Sequence, residues 1–376
     1  MIPVRPPRDR RLDILRGWMQ VSIFVSHVAG TGFAWLIHAA WGLSDSSEQF
    51  VFLSGFGLGS VFTLKEARDG FAAGLRDLSR RLRRLYLVHL LVVALLGAMI
   101  FSAQAVLSLP EEALRSGWAW LAEAPLAATT GILLMLYQPA FTGILPVFVW
   151  CMLALPLFMA ATARWGACAL LPPALLWAGV QVFGWEVRGL GGTQVEFNPL
   201  AWQLLFLLGA WCGRRALLGG AAPARTHSHA TALALVVVLA AAGMRAVGHL
   251  GLDSWQFATA LLDGKEHLAL PRLLHALALA WLVAAFVPRQ ARWMESSAAE
   301  ALATVGRHSL GVFCLGLFLS WLASTALRLH PGAHATLDPL LILGGTAILL
   351  GFARIANGRA GVPALPRSGA RMHQAG

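Results

Sequence analysis

The sequence predicts an all-α, polytopic membrane helix bundle of about ten transmembrane helices, each roughly 20 residues long, with both termini in the cytoplasm. Three observations carry that prediction: composition, the recurrence of apolar runs, and the placement of the basic residues. The 376 residues are 57% hydrophobic and 12% charged, with a mean hydropathy of +0.66, whereas a soluble domain carries about 25% charged residues. Such a chain cannot cover a globular surface with polar groups, which excludes a secreted or cytosolic globular enzyme and also excludes disorder.

Apolar runs of spanning length occupy roughly Gly17 to Ala40, Phe50 to Leu64, Leu85 to Leu107, Ile144 to Ala163, Ala167 to Phe183, Pro199 to Gly213, Ala230 to Gly248, Leu273 to Val287, Leu310 to Leu327 and Leu337 to Ala353. The Arg-rich arm of Arg5, Arg8, Arg10, Arg11 and Arg16 sets the N-terminus inside by the positive-inside rule. Alternation then leaves only Arg115, Arg188, Arg245, Lys265, Arg272 and Arg328 of the 29 basic residues outside. The apolar stretch Trp118 to Tyr137 would invert everything downstream if it crossed, so it reads as a re-entrant or interfacial helix on the outer side. The first run is too long for a signal peptide and lacks a small-residue cleavage site, so it stays as a span. One transmembrane domain is expected over residues 1–357, followed by a disordered cytoplasmic tail over 358–376.

The net charge of +11 follows from the cytoplasmic loops and does not point to nucleic acid. Cys151, Cys168, Cys212 and Cys314 lie in or beside apolar runs without C-x-x-C spacing, so neither disulfides nor a metal site is expected. Oligomeric state, a homo-oligomer included, stays open.

An ionisable group inside a span is costly and therefore a functional candidate. At 100° per residue Asp13, Arg16, Gln20 and His27 share one face of the first span. That stripe starts at the cytoplasmic interface and carries His27 about 16 Å deep, near the bilayer midplane. A neutral imidazole there is suited to general-base work, with interhelical packing as the plainer alternative. In the second span Gly55 and Gly59 form a G-x-x-x-G pair for close packing. Glu48 at its outer end reads either as an acceptor-orienting group or as a solvated interfacial carboxylate. Arg80, Arg83 and Arg84 are explained by topology or by phosphates of a cytoplasmic cofactor, for which guanidinium forks are well shaped. On the outer side, Arg272 and His275 are an i, i+3 pair. Asn198, Trp202 and Gln203 open the sixth span as either sugar-binding groups or an interfacial anchor.

The Arg16-x10-His27 spacing, followed by Phe52-Leu53-Ser54-Gly55-Phe56, resembles the type-three membrane acyltransferase superfamily. Ser47-Glu48-Gln49-Phe50-Val51-Phe52-Leu53-Ser54-Gly55, Tyr137-Gln138-Pro139-Ala140-Phe141, Ile144-Leu145-Pro146, Asn198-Pro199-Leu200-Ala201-Trp202-Gln203, Arg272-Leu273-Leu274-His275 and Gly306-Arg307-His308-Ser309-Leu310-Gly311-Val312-Phe313 resemble its OpgC branch, which succinylates osmoregulated periplasmic glucans. The resemblance implies a multi-pass protein of the bacterial inner membrane with acyl-CoA, succinyl-CoA in that branch, as cytoplasmic co-substrate. It implies a periplasmic glucan as acceptor and no permanently bound cofactor. His27, Arg16 and Glu48 are then the catalytic candidates. Arg16, Arg80, Arg83 and Arg84 would bind the donor, and Asp13, Gln20, Ser54, Asn198, Trp202, Gln203, Arg272 and His275 the substrates. Two alternatives remain: a transporter or flippase for a glycan or anion, and an acyltransferase acting on lipid or surface polysaccharide. A transporter often shows inverted repeats, and none is visible in the sequence.

Overall fold

A computed structural model describes residues 8–106, 111–219, 228–251 and 264–359. Among the described residues all regular structure is helical. The helices are α1 (Arg10–His27), α2 (Ser46–Asp69), α3 (Phe71–Val106), α4 (Glu112–Arg115), α5 (Ala119–Glu123), α6 (Pro125–Leu133), α7 (Ile144–Trp165), α8 (Leu171–Phe183), α9 (Pro199–Leu217), α10 (Ser228–His249), α11 (Leu270–Phe286), α12 (Ser297–Arg307), α13 (Ser309–Leu329) and α14 (His334–Arg359).

Among the described residues six helical stretches are long and apolar enough to cross a membrane: 46–69, 71–106, 144–183, 228–249, 309–329 and 331–359, with α11 a shorter apolar helix. The stretch 144–183 contains two of the expected spans, divided at Gly166, whose φ of 58° is a left-handed conformation suited to glycine. The expected tail falls outside the described residues from residue 360 on.

Two sequence expectations meet the fold directly. The first run does not continue as helix to Ala40. α1 ends at His27, and the chain continues through Val28 in extended conformation, Gly30 at φ 86° and a short 3-10 turn over Gly32–Leu36. His27 therefore closes an 18-residue helix instead of lying inside a longer one. The reason is local: Gly30-Thr31-Gly32 breaks the helical pattern, and Asp338 accepts from Thr31 Oγ1 (2.7 Å) and Gly32 N (2.8 Å), which satisfies the turn. The stretch 118–137 is broken into α5 and α6, of five and nine residues. Nine residues rise only about 14 Å, too short to cross ~30 Å of hydrocarbon.

Within the expected domain the chain forms two compact units. The unit of residues 38–285 is organised on α2 and α9. Gly55 and Gly59 of α2 lie against the backbone at Phe206 and Ala210, and Gly209 and Gly213 of α9 lie reciprocally against Phe52 and Phe56. Ser60 Oγ reaches the carbonyl of Gly213 at 2.9 Å across this seam. Small residues let two backbones touch, which is how helices gain packing where the solvent is as apolar as the side chains. Leu155, Met159, Ala201, Leu205 and Phe206 are fully buried beside the seam.

The unit of residues 8–37 and 286–359 contains α1, α12, α13 and α14. Gly17 of α1 lies against the Leu302 backbone of α12, and Gly306 of α12 against the Asp13 backbone of α1, so neither position has room for a Cβ. Ser320 and Ser324 of α13 donate to the carbonyls of Phe24 and His27 at 3.2 Å each. These bonds satisfy acceptors that the end of α1 leaves without intrahelical partners.

Candidate functional site

The first cluster lies where α2 begins, in the unit of residues 38–285. Asp45 is the N-cap of α2 and accepts from Ser47 N at 2.7 Å, while Glu48 reaches back to accept from Asp45 N at 2.9 Å. This is a capping box, satisfying donors that every helix start exposes. The other Glu48 oxygen, Oε1, accepts from Arg272 Nε at 2.6 Å. Arg272 Nη2 also lies 2.6 Å from Glu48 Oε1 and 3.3 Å from Asp45 Oδ2, and Lys265 Nζ lies 2.9 Å from Asp45 Oδ2. Glu48 is 0% exposed, so it is not the solvated interfacial carboxylate that the sequence left open. Both its oxygens are engaged, Oε2 by the Asp45 N–H and Oε1 by Arg272.

Two carboxylates and two cations make a neutral cluster, the arrangement in which buried charge is tolerated. At its edge, burial pushes the Asp45 carboxyl up, but Lys265 and Arg272 beside it prevail and hold it well below the usual carboxylate range. Burial pushes the Lys265 ammonium down, and Asp45 more than reverses this, so its net shift is upward.

His275 lies one turn beyond Arg272 on α11 and is buried. Its Nδ1 accepts from Ser44 N at 3.2 Å and lies 2.7 Å from Ser44 Oγ. A backbone N–H only donates, so the neutral ring carries its proton on Nε2. Gly42 makes room for the ring: a Cβ there would lie 2.6 Å from His275 Cε1.

Asn198, Trp202 and Gln203 make hydrogen bonds within the protein. Trp202 is fully buried, and its Nε1 donates to the carbonyls of Lys265 (3.0 Å) and Glu266 (3.1 Å). Asn198 caps α9, accepting from Leu200 N at 3.2 Å, and donates through Nδ2 to Trp185 O at 2.8 Å. Gln203 Nε2 donates to Pro173 O at 2.9 Å. The first two clasp the loop that presents Lys265, whose ammonium also lies 5.5 Å from the Phe197 ring. Ser54 is partly exposed on α2. Arg80, Arg83 and Arg84 are exposed along α3, with Arg80 3.7 Å from Asp77.

The second cluster is the α1 stripe, in the other unit. Asp13 is taken by a fork from Arg8, at 2.6 and 3.0 Å. Gln20 is 2% exposed. His27 Nδ1 lies 2.7 Å from the carbonyl oxygen of Ile23. A carbonyl only accepts, so Nδ1 carries the proton of the neutral ring and Nε2 is its basic nitrogen. His27 and His275 are thus held as opposite tautomers, one presenting a base and the other a donor.

Sequence reasoning missed Ser44, Asp45, Lys265, Ser320, Ser324 and Asp338. Only Asp45 had a local signal, the capping-box spacing Asp45-Ser46-Ser47-Glu48. Among the described residues no group of His, Cys, Asp and Glu is placed to hold a metal ion.

The sequence model of the family described as OpgC protein matches residues 8–360 of this chain. Neither a curated protein nor a solved structure matches it.

Proposed function

The chain belongs to the OpgC family, and from that premise we propose that it is a multi-pass inner-membrane O-acyltransferase that moves a succinyl group from cytoplasmic acyl-CoA to hydroxyls of a periplasmic glucan. The observation that carries the reading is the His27 tautomer. With Nδ1–H donated to Ile23, Nε2 can take the proton of an acceptor hydroxyl while the oxygen attacks the thioester carbonyl. The tetrahedral intermediate then collapses, the C–S bond breaks, and the thiolate of CoA leaves with the proton from His27.

Arg16, on the same face of α1, binds the donor phosphates, and Arg80, Arg83 and Arg84 attract the polyanionic donor to the cytoplasmic surface. Within the unit of residues 38–285, the His275 Nε2–H is a donor for an anionic group of a substrate. Glu48 acts through Arg272, as a positioning residue. Ten spans with both termini inside give the two substrates their opposite compartments.

The test is turnover of succinyl-CoA and glucan by the purified chain in lipid nanodiscs. His27→Ala should insert and fold, yet lower turnover by ~10²- to 10⁴-fold, the usual contribution of a general base. Near-parental turnover would defeat the mechanism, and a succinyl adduct trapped on His27 would make it a nucleophile instead of a base.

A further inference from the structure

We propose that Gln20 recognises the pantetheine arm of the donor, its Oε1 accepting from the arm's distal amide N–H and its Nε2 donating to the neighbouring hydroxyl; this rests on the acyl-CoA reading above. Gln20 is 2% exposed, and among the described residues neither its Oε1 nor its Nε2 has a hydrogen-bond partner. Buried polar atoms in folded proteins are nearly always paired, and Leu or Met would fill the same volume with nothing left to pair. A carboxamide at this position therefore calls for a partner from outside the chain that offers one acceptor and one donor side by side. A phosphate offers acceptors only. A trans secondary amide points its N–H and C=O in opposite directions, but the distal amide N–H and the hydroxyl on the carbon beyond its carbonyl lie along one edge of the arm and offer both.

Distances single out which amide. At ~1.5 Å of rise per residue, Gln20 lies about 6 Å beyond Arg16 and about 10 Å short of His27, all on one face of α1. In an extended arm, covalent bonds of about 1.5 Å advance about 1.25 Å each, so the pyrophosphate, about 13 bonds from the thioester sulfur, lies about 16 Å away. The distal amide nitrogen, about 7 bonds from the sulfur, lies about 9 Å away by the same measure. With phosphate at Arg16 and sulfur at His27, the two ends match the stripe and the distal amide comes level with Gln20. The proximal amide comes level with Phe24 and Val25, whose side chains offer no polar atom, so one amide of the two is read.

The experiment compares binding of CoA and of its pantetheine-free fragment, adenosine bisphosphate, to the full chain in nanodiscs by calorimetry. Gln20→Met should weaken CoA about tenfold, the worth of hydrogen bonds that become unpaired buried groups, and leave the fragment unchanged. Unchanged CoA binding, as a water partner for Gln20 would give, overturns the proposal, as does equal weakening of both ligands. A second measurement does not depend on the variant folding. The parent chain should bind a CoA analogue with CH2 in place of the distal amide N–H several-fold more weakly than CoA; equal binding overturns the assignment. A parent chain that binds neither CoA nor the fragment removes the acyl-CoA reading itself, and the proposal with it.

Discussion

Removing one partner of the Glu48–Arg272 pair leaves a charge that the structure has taken out of solvent. Glu48 is 0% exposed and the Arg272 side chain 6%. Breaking a buried pair from one side costs about 3–5 kcal/mol. The low end applies to Glu48→Met, because Asp45 remains 3.3 Å from Arg272 even though it is shared with Lys265 at 2.9 Å. At roughly 2–4 °C per kcal/mol for a unit of this size, the melting temperature should fall by about 6 to 12 °C. Arg272→Met should cost at least as much, since it leaves two carboxylates facing Lys265 alone. The double variant removes one charge of each sign and keeps the Asp45–Lys265 pair, so it should be less destabilised than the sum of the singles by about 2 kcal/mol or more. Thermal melts of the four proteins in detergent micelles measure this coupling. Single variants within about 1 kcal/mol of the parent, or a strictly additive double variant, would refute the reasoning that Glu48 holds Arg272.

In the α2–α9 seam, Gly55→Ala should destabilise by about 1–3 kcal/mol through overpacking, since its Cβ has no room against Phe206, whereas Gly243→Ala on α10 meets nothing within 4 Å and should stabilise by about 0.5–1 kcal/mol; equal effects in melts would show that the seam is not tight. Asp45 titrates below the usual range when folded, so its contribution to stability is complete above an ordinary carboxylate value of about 3.9 and is lost as pH falls below it. Acid melts of Asp45→Asn should therefore be flatter below about pH 4 than those of the parent, and parallel curves would remove Asp45 from the cluster's electrostatics. Reporter fusions after Gly143 and Phe197 should read as external and those after Gly213 and Gly358 as internal; an internal signal at Phe197 would mean that the α5–α6 region crosses. Together with the loss of turnover in His27→Ala, these measurements separate the scaffold from the chemistry.

The class of this protein was legible without a structure because composition and local periodicity are properties of short windows. An apolar run that must pair its own backbone groups becomes a helix wherever it lies, and among the described residues the expected runs from Phe50 onward fall in helices but for Val287. The Gly55–Gly59 pair likewise announced a close approach, and the structure supplied its reciprocal in Gly209 and Gly213. The early end of α1 was written in Gly30-Thr31-Gly32, but hydrophobicity on either side masked it.

What tertiary structure decided is which polar groups meet. Glu48 is 224 positions from Arg272, and Trp202 clasps a loop that no local pattern links to it. Hydrophobic patterning cannot specify such pairings in this chain. Lipid and protein core are equally apolar, so burial does not tell one helix face from another. The choice of neighbours rests on small-residue seams and on buried polar atoms finding partners, and both require the whole bundle to be assembled before they can be read.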